Sequence, residues 1–221
     1  MESPFPPGFF DRSDPTPDQI FYRDARLVTH IDEGAIAAVG ALYDELEIDG
    51  SVLDLMSSWV SHFRQRPSEL TVLGMSLEEL DANGQAAHRV VHDLNADPRL
   101  PFADRNFDAA VCCVSVDYLV HPVAVFKEVA RVLRPGGVFV CTFSNRVFPT
   151  KAIRGWLAAS ESDRRDIVAA YFRLSGGWTE PVFQRRTSRG FFGGDPLDAV
   201  WARTRADGSA STGESAAASS G

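Results

Sequence analysis

The chain has 221 residues, 44% of them hydrophobic, and a formal net charge of -8 from 22 basic and 30 acidic side chains. That length supports one α/β domain with a sizeable core and not two, and the acidic balance opposes binding to nucleic-acid phosphates. No run approaches the roughly 20 apolar residues of a membrane span. The N-terminus lacks a basic-then-apolar secretory pattern, so a cytoplasmic protein with a small-molecule or protein partner is expected.

Residues 1–30, rich in Pro and Phe, read as an N-terminal extension that caps the domain. Ile31, Ala35, Val39, Leu42 and Leu46 recur at spacings of three and four, which predicts an amphipathic helix from about Asp32 to Glu47, ended by Asp49-Gly50. Short apolar runs at Ser51–Leu55, Leu70–Gly74, Arg89–His92 and Phe107–Val114 predict the first four strands, with a helix from Leu77 to about Asn83-Gly84 between the second and third. Pro122 opens the next helix, which Gly136-Gly137 is expected to cap. Val138 to Phe143 is the fifth strand. Helical stretches follow at Lys151–Trp156 and Asp163–Leu174, then Val182–Gln184 and Ala199–Ala202 as a closing hairpin. The Ser/Ala/Gly-rich residues 206–221 carry no apolar period and are expected to be disordered.

Strands alternating with helices imply a mostly parallel sheet in a three-layer α/β domain over residues 31–205, with right-handed crossovers. Ligands of such sheets sit beyond the carboxyl ends of the strands. Candidate positions are therefore Met56–His62, Gly74–Ser76, Asp93–Asn95, Ser115–Tyr118 and Ser144–Lys151. Cys112, Cys113 and Cys141 all fall in buried strands, with Cys112 and Cys113 on opposite faces, and read as reduced core thiols.

Leu100-Pro101-Phe102-Ala103-Asp104-Arg105-Asn106-Phe107-Asp108, followed by Arg131-Val132-Leu133-Arg134-Pro135-Gly136-Gly137, resembles the second half of class I methyltransferases that use S-adenosylmethionine (SAM). The resemblance implies a Rossmann-like, seven-stranded sheet with an antiparallel C-terminal hairpin, SAM as cofactor and a small-molecule acceptor. The first half departs from that family. After Val52-Leu53-Asp54-Leu55 the family has Gly-x-Gly-x-Gly, whereas Met56-Ser57-Ser58-Trp59-Val60-Ser61-His62 carries a side chain at each glycine position. The acid that receives the ribose hydroxyls in the family falls at Gly74. The loop Met-Ser-Ser-Trp-Val-Ser-His and the later Ser144-Asn145-Arg146 resemble a methyltransferase-like subgroup without an assigned substrate. The altered loop also admits a protein of this fold that holds another ligand, or none.

By that resemblance Asp54, Met56, Ser57, Ser58, Trp59, Gly74, Met75, Asp93, Leu94 and Ser115 would border the cofactor. Asp93 would take the adenine amino group, or else cap the loop before Pro98. His62 has a side chain suited to proton transfer near neutrality, with a surface helix histidine as its plainer role. Asp117 and Tyr118 would complete the catalytic set. His30, Asn145 and Arg146 would contact the acceptor, Arg146 binding an anion or pairing with Asp117 or Glu161. Asp32 is more economically a helix N-cap. His30, His62 and the acids lack metal-ligand spacing, and no metal is expected. The residues 184–189, basic but short, read as a solvated hairpin or loop.

Overall fold

A computed structural model describes residues 4–188 and 194–206. Seven strands form one sheet: β1 (Ser51–Leu55), β2 (Glu69–Gly74), β3 (His88–Val91), β4 (Phe107–Cys113), β5 (Leu133–Ser144), β6 (Val182–Thr187) and β7 (Leu197–Arg203). Their order is β3-β2-β1-β4-β5-β7-β6, parallel through β5, with β7 antiparallel to both β5 and β6. The chain reverses its strand order between β1 and β4, which opens a crevice at their carboxyl ends. The C-terminal hairpin expected from the sequence is the β6–β7 pair, and only β7 touches the parallel strands.

Alternation along each strand divides the core into two faces. Leu53, Leu55, Ala110, Cys112, Phe139 and Cys141 pack on one side with α4 (Pro122–Val132) and α6 (Glu161–Ser175). Val52, Val72, Ala109, Val111, Val138 and Val140 pack on the other with α2 (Glu33–Glu45). Each fully buried Leu, Val or Phe among these contributes about 1.5–3 kcal/mol. Cys112 and Cys113 face opposite sides as their adjacency requires.

Asp32 is the N-cap of α2, its Oδ1 accepting from the Ala35 amide at 2.8 Å. The helix α3 (Leu77–Ala82) begins at the N-cap Ser76. Two boundaries differ from expectation. α4 ends at Val132, and its chain enters β5 directly at Leu133, so Gly136-Gly137 do not cap it. Those glycines lie where the β4–β5 register shifts, between Phe107↔Leu133 and Ala109↔Val138, and Gly136 takes φ +81°. The short α5 runs Arg154–Ala158, three residues later than expected at its start, because Lys151 is drawn into the interior instead.

The N-terminal residues, with the short α1 (Asp18–Phe21), lie as a strap across one end of the domain. Phe5, Phe9 and Phe10 stack on one another, and Phe5 and Phe10 also meet Tyr171. Phe9 packs so tightly on Gly155 that a Cβ there would come within 2.3 Å of its ring. Lys151, fully buried, donates to the Thr16 carbonyl at 2.7 Å and pairs with Asp14 at 3.1 Å and Asp18 at 3.2 Å. A buried ammonium is stable only with such partners, so the strap and the domain hold each other. The expected tail lies outside the described residues except for Ala206. Among the described residues, no helix is long and apolar enough to cross a membrane.

Candidate functional site

Where the strands β1 to β4 end, a cavity of about 570 Å³ opens under the strap, within the range of small-molecule sites. Its walls come from each strand end: Met56, Ser57 and Ser58 after β1; Gly74, Met75 and Ser76 after β2; Asp93, Leu94 and Asn95 after β3; Val114, Ser115 and Tyr118 after β4. Arg146, Val147 and Phe148 after β5 close one side. Asp18, Tyr22, Arg26 and His30 of the strap form the cover.

Two residues at adjacent strand ends sit in the left-handed region: Met56 at φ +55° and Val114 at φ +45°. A side chain there costs roughly 1–2 kcal/mol, and a β-branched one is rarer still. Strain of this kind collects at functional sites. Met56 thus keeps the bend of a glycine while filling space with a thioether. Its loop then tucks against β2: the Ser57 amide donates to the Leu73 carbonyl at 2.8 Å, and the Ser57 carbonyl lies 2.3 Å from where a Cβ on Gly74 would stand. Buried Asn83 ties down the far part of the loop, donating to the Ser58 carbonyl at 3.1 Å and to Ser61 Oγ at 2.8 Å.

The acids in the wall are in use. Asp93 Oδ1 accepts from the Asn95 amide at 2.9 Å and the Ala96 amide at 3.2 Å, and Oδ2 from Gln19 Nε2 at 2.7 Å, so it caps its loop while facing the cavity. Asp18 is held by Arg12 at 2.8 Å and Asn95 at 2.9 Å, and these partners and Lys151 outweigh burial to keep its carboxyl below the ordinary range. Asp195 pairs with Arg146 at 2.8 Å and accepts from the Asp32 amide at 3.0 Å. Glu79, on α3, takes the Ser58 hydroxyl at 2.6 Å and the Arg26 amide at 2.7 Å. The Arg26 guanidinium lies over the Phe21 ring, 4.4 Å from its centroid, with its Nη1 buried and unpartnered.

A second, smaller chamber of about 60 Å³ lies beside the first, lined by Asp54, Trp59, His62 and Cys113, with His30, Met56–Ser58 and Ser115 shared between the two. Burial pushes the Asp54 carboxyl up to about 7, against the hydrogen bonds from Ser61 and Ser57. His62 is held below the ordinary imidazole value by burial first and by His30 second. His30 is also lowered, chiefly by desolvation, with Arg26 acting in the same sense and Glu79 opposing. Both imidazoles are therefore biased toward the neutral, proton-accepting form.

Ten of the sequence candidates line the main cavity: Met56, Ser57, Ser58, Gly74, Met75, Asp93, Leu94, Ser115, His30 and Arg146. Tyr118 does too, its hydroxyl accepting from the Phe148 amide at 2.9 Å. Five candidates do not. Asp54, Trp59 and His62 open on the smaller chamber; Trp59 donates to the Val28 carbonyl at 3.1 Å, and His62 lies in a loop at φ +58°, not on a helix. Asp117 is 2% exposed and absent from the cavity wall, and burial raises its carboxyl to about 7. It stands in the short turn Val116–Tyr118, where its neighbour Tyr118 takes the cavity side. Asn145 turns to a separate shallow cleft beside Glu161 and Asp198. Arg146 pairs with Asp195 rather than Asp117 or Glu161. In the basic stretch, Arg185 pairs with Asp198 and Glu161, and Arg186 with Glu45.

Sequence reading missed Asp18, Tyr22, Arg26, Glu79 and Asp195. The strap residues belong to no periodic element, so no pattern assigns them a side. Glu79 stands beside Glu78 in the first turn of α3, and only burial in the structure separates the two.

Residues 54–141 match the family described as a methyltransferase domain. A demethylmenaquinone methyltransferase of Mycobacterium sp. (strain KMS) is 50% identical over 56 residues, 24% of each chain. A ubiquinone/menaquinone biosynthesis C-methyltransferase of Bartonella tribocorum is 31% identical over 100 residues, 45% of this chain and 33% of the relative. The chain thus spans about a quarter to a third of the length of these curated relatives. Among solved structures, the PH0226 protein of Pyrococcus horikoshii OT3 superposes with a TM-score of 0.55 at 16% identity, over 84% of this chain and 99% of that one. The cyclase SpnF gives 0.55 at 15% identity, over 82% and 89%. These likenesses show the fold.

Proposed function

We propose, from the match of residues 54–141 to the methyltransferase-domain family, that this chain is a SAM-dependent methyltransferase acting on a small-molecule acceptor. The observation that carries the reading is the left-handed backbone of Met56 at the first position of the family's glycine loop. A loop that had lost its role would be free to relax out of a costly conformation. This one retains the bend, beside a cavity of cofactor size. The same observation weighs against a fold without SAM, since the first of the three altered positions keeps a glycine's bend.

The residues around the cavity suit the cofactor. The backbone from Met56 to Ser58 and the strand-end residues Gly74 to Ser76 would border its amino-acid and ribose portions, and Asp93 with Leu94 its adenine. When bound, SAM supplies an electrophilic methyl group on a sulfonium. Methyl transfer to a small nucleophile requires alignment above all, which the strap provides by covering the cavity and excluding water. Tyr118 is kept protonated by burial and by Asp117, so it serves as a donor that orients the acceptor. His30, lining both chambers and biased toward its neutral form, takes the acceptor's proton. This moves the base from His62, which borders only the smaller chamber, to its neighbour. The acidic net charge and the names of the curated relatives both support a small-molecule acceptor over a nucleic acid.

The reading is tested by calorimetric titration with SAM and S-adenosylhomocysteine. Micromolar binding is expected, weakened in Asp93→Asn, which preserves the loop-capping hydrogen bonds and removes the charge offered to the adenine amino group. No heat and no thermal shift at millimolar ligand would overturn it.

A further inference from the structure

Resting on the SAM reading, the geometry points to Glu79 as the group that receives the vicinal hydroxyls of the cofactor's ribose, in place of an acid at the end of β2. Position 74 is closed to any side chain. The atom that a Cβ would strike at 2.3 Å is the Ser57 carbonyl oxygen, and the Ser57 amide is itself fixed on Leu73. Backbone held in this way does not yield as the far end of a flexible side chain would. The loop after β1 has taken the space the acid would need.

Glu79 offers a carboxylate to the same corner of the cavity from one turn into α3. Its amide donates to the N-cap hydroxyl of Ser76 at 3.4 Å, as in a capping box, yet its own side chain does not return to Ser76. The carboxylate instead crosses to Ser58, on the altered loop, and to the Arg26 amide, on the strap. Each oxygen thereby receives one donor, and a carboxylate has about four acceptor sites in all. Glu79 is 8% exposed and lines the cavity with Gly74, Met75 and Ser76.

The other acids of the wall differ in kind. Asp18 is matched by Arg12 and Lys151, and Asp195 by Arg146. Asp32 caps α2, and Asp93 caps its own loop. Among the described residues, Glu79 has no cationic side chain within ion-pair distance. Burying a carboxylate without a counter-charge is costly unless donors satisfy it. Two further hydroxyl donors from a ligand would complete its set, each bond being charge-assisted and stronger than a neutral one.

The experiment compares wild type, Glu79→Gln and Glu79→Asp for binding of S-adenosylhomocysteine and of its 2′-deoxy analogue by calorimetry. Wild type is expected to bind the parent about tenfold more tightly than the deoxy analogue. Glu79→Gln should bind the parent about 10- to 100-fold more weakly and lose most of that discrimination. Glu79→Asp retains the charge one methylene short and should show the same loss in smaller degree, so the test survives if the Gln variant fails to fold. Unchanged parent affinity in the folded variants, or undiminished discrimination, would overturn the assignment while leaving the methyltransferase reading intact. Absence of binding by wild type would overturn that reading itself.

Discussion

The β4–β5 half of the sheet and the β1–β3 half are constrained at opposite edges. In the first, the tight packing lies at the amino end of β4. Asp108 accepts from the Ser51 amide at 2.9 Å and pairs with Arg134, and a Cβ on Gly137 would come within 2.8 Å of the Asp108 carbonyl. In the second, the crowding lies at the carboxyl ends, where Met56, Ser57 and Gly74 interlock beside the cavity. The Phe-Asp and Arg-Pro-Gly-Gly signals therefore secure the sheet at the edge away from the cavity. The loop that departs most in residue type is the one at the site. Recognisable sequence here marks backbone packing, and altered sequence lies beside the cavity.

Each half buries one carboxyl whose value burial raises from 3.8 to about 7, Asp54 in the first-strand half and Asp117 in the other. The folded value lies above the unfolded one, so the folded state binds the proton more tightly. This favours the fold fully below about pH 4, and the advantage is lost as pH rises through about 7. Asp117→Asn fixes the neutral form and should match wild type near pH 4 while exceeding it by up to about 4 kcal/mol at pH 8. Denaturant unfolding at both pH values measures this. An equal effect at the two would show that burial does not hold the Asp117 proton.

A smaller effect is expected from restoring the family's acid. Gly74→Asp drives a side chain into the Ser57 carbonyl and should cost about 1–3 kcal/mol, as overpacking does, with weaker S-adenosylhomocysteine binding. A variant as stable as wild type that bound more tightly would show that the loop after β1 yields, and the contrast between the halves would fail at its central point. The smallest effect is at the opposite edge. Arg134→Ala removes a half-exposed ion pair and should cost less than about 1 kcal/mol, with ligand affinity unchanged. A large loss of affinity there would mean that the two edges are coupled.

The parallel sheet was legible because its evidence is local. Apolar runs such as Val52–Leu55 and Val138–Phe143 have strand length, helices such as Val125–Leu133 have helical period, and their alternation admits few topologies. The strand-end rule then found Met56, Gly74, Asp93 and Ser115 without any contact information. It could not separate Asp117 from Tyr118, since both follow β4 and only packing decides which faces the crevice. It could not choose between His30 and His62 either, because which chamber each imidazole borders depends on how the strap lies over the loop after β1.

The sequence by itself determined the order of elements and the edge of the sheet where a ligand belongs, since both follow from chain periodicity and the handedness of crossovers. Only the tertiary structure decided what lines that edge. Buried Lys151 holds down a strap that has no period of its own, and the Ser57 carbonyl closes position 74. Glu79 turns from its cap toward the cavity because Ser58 and the Arg26 amide, distant in sequence, meet it there.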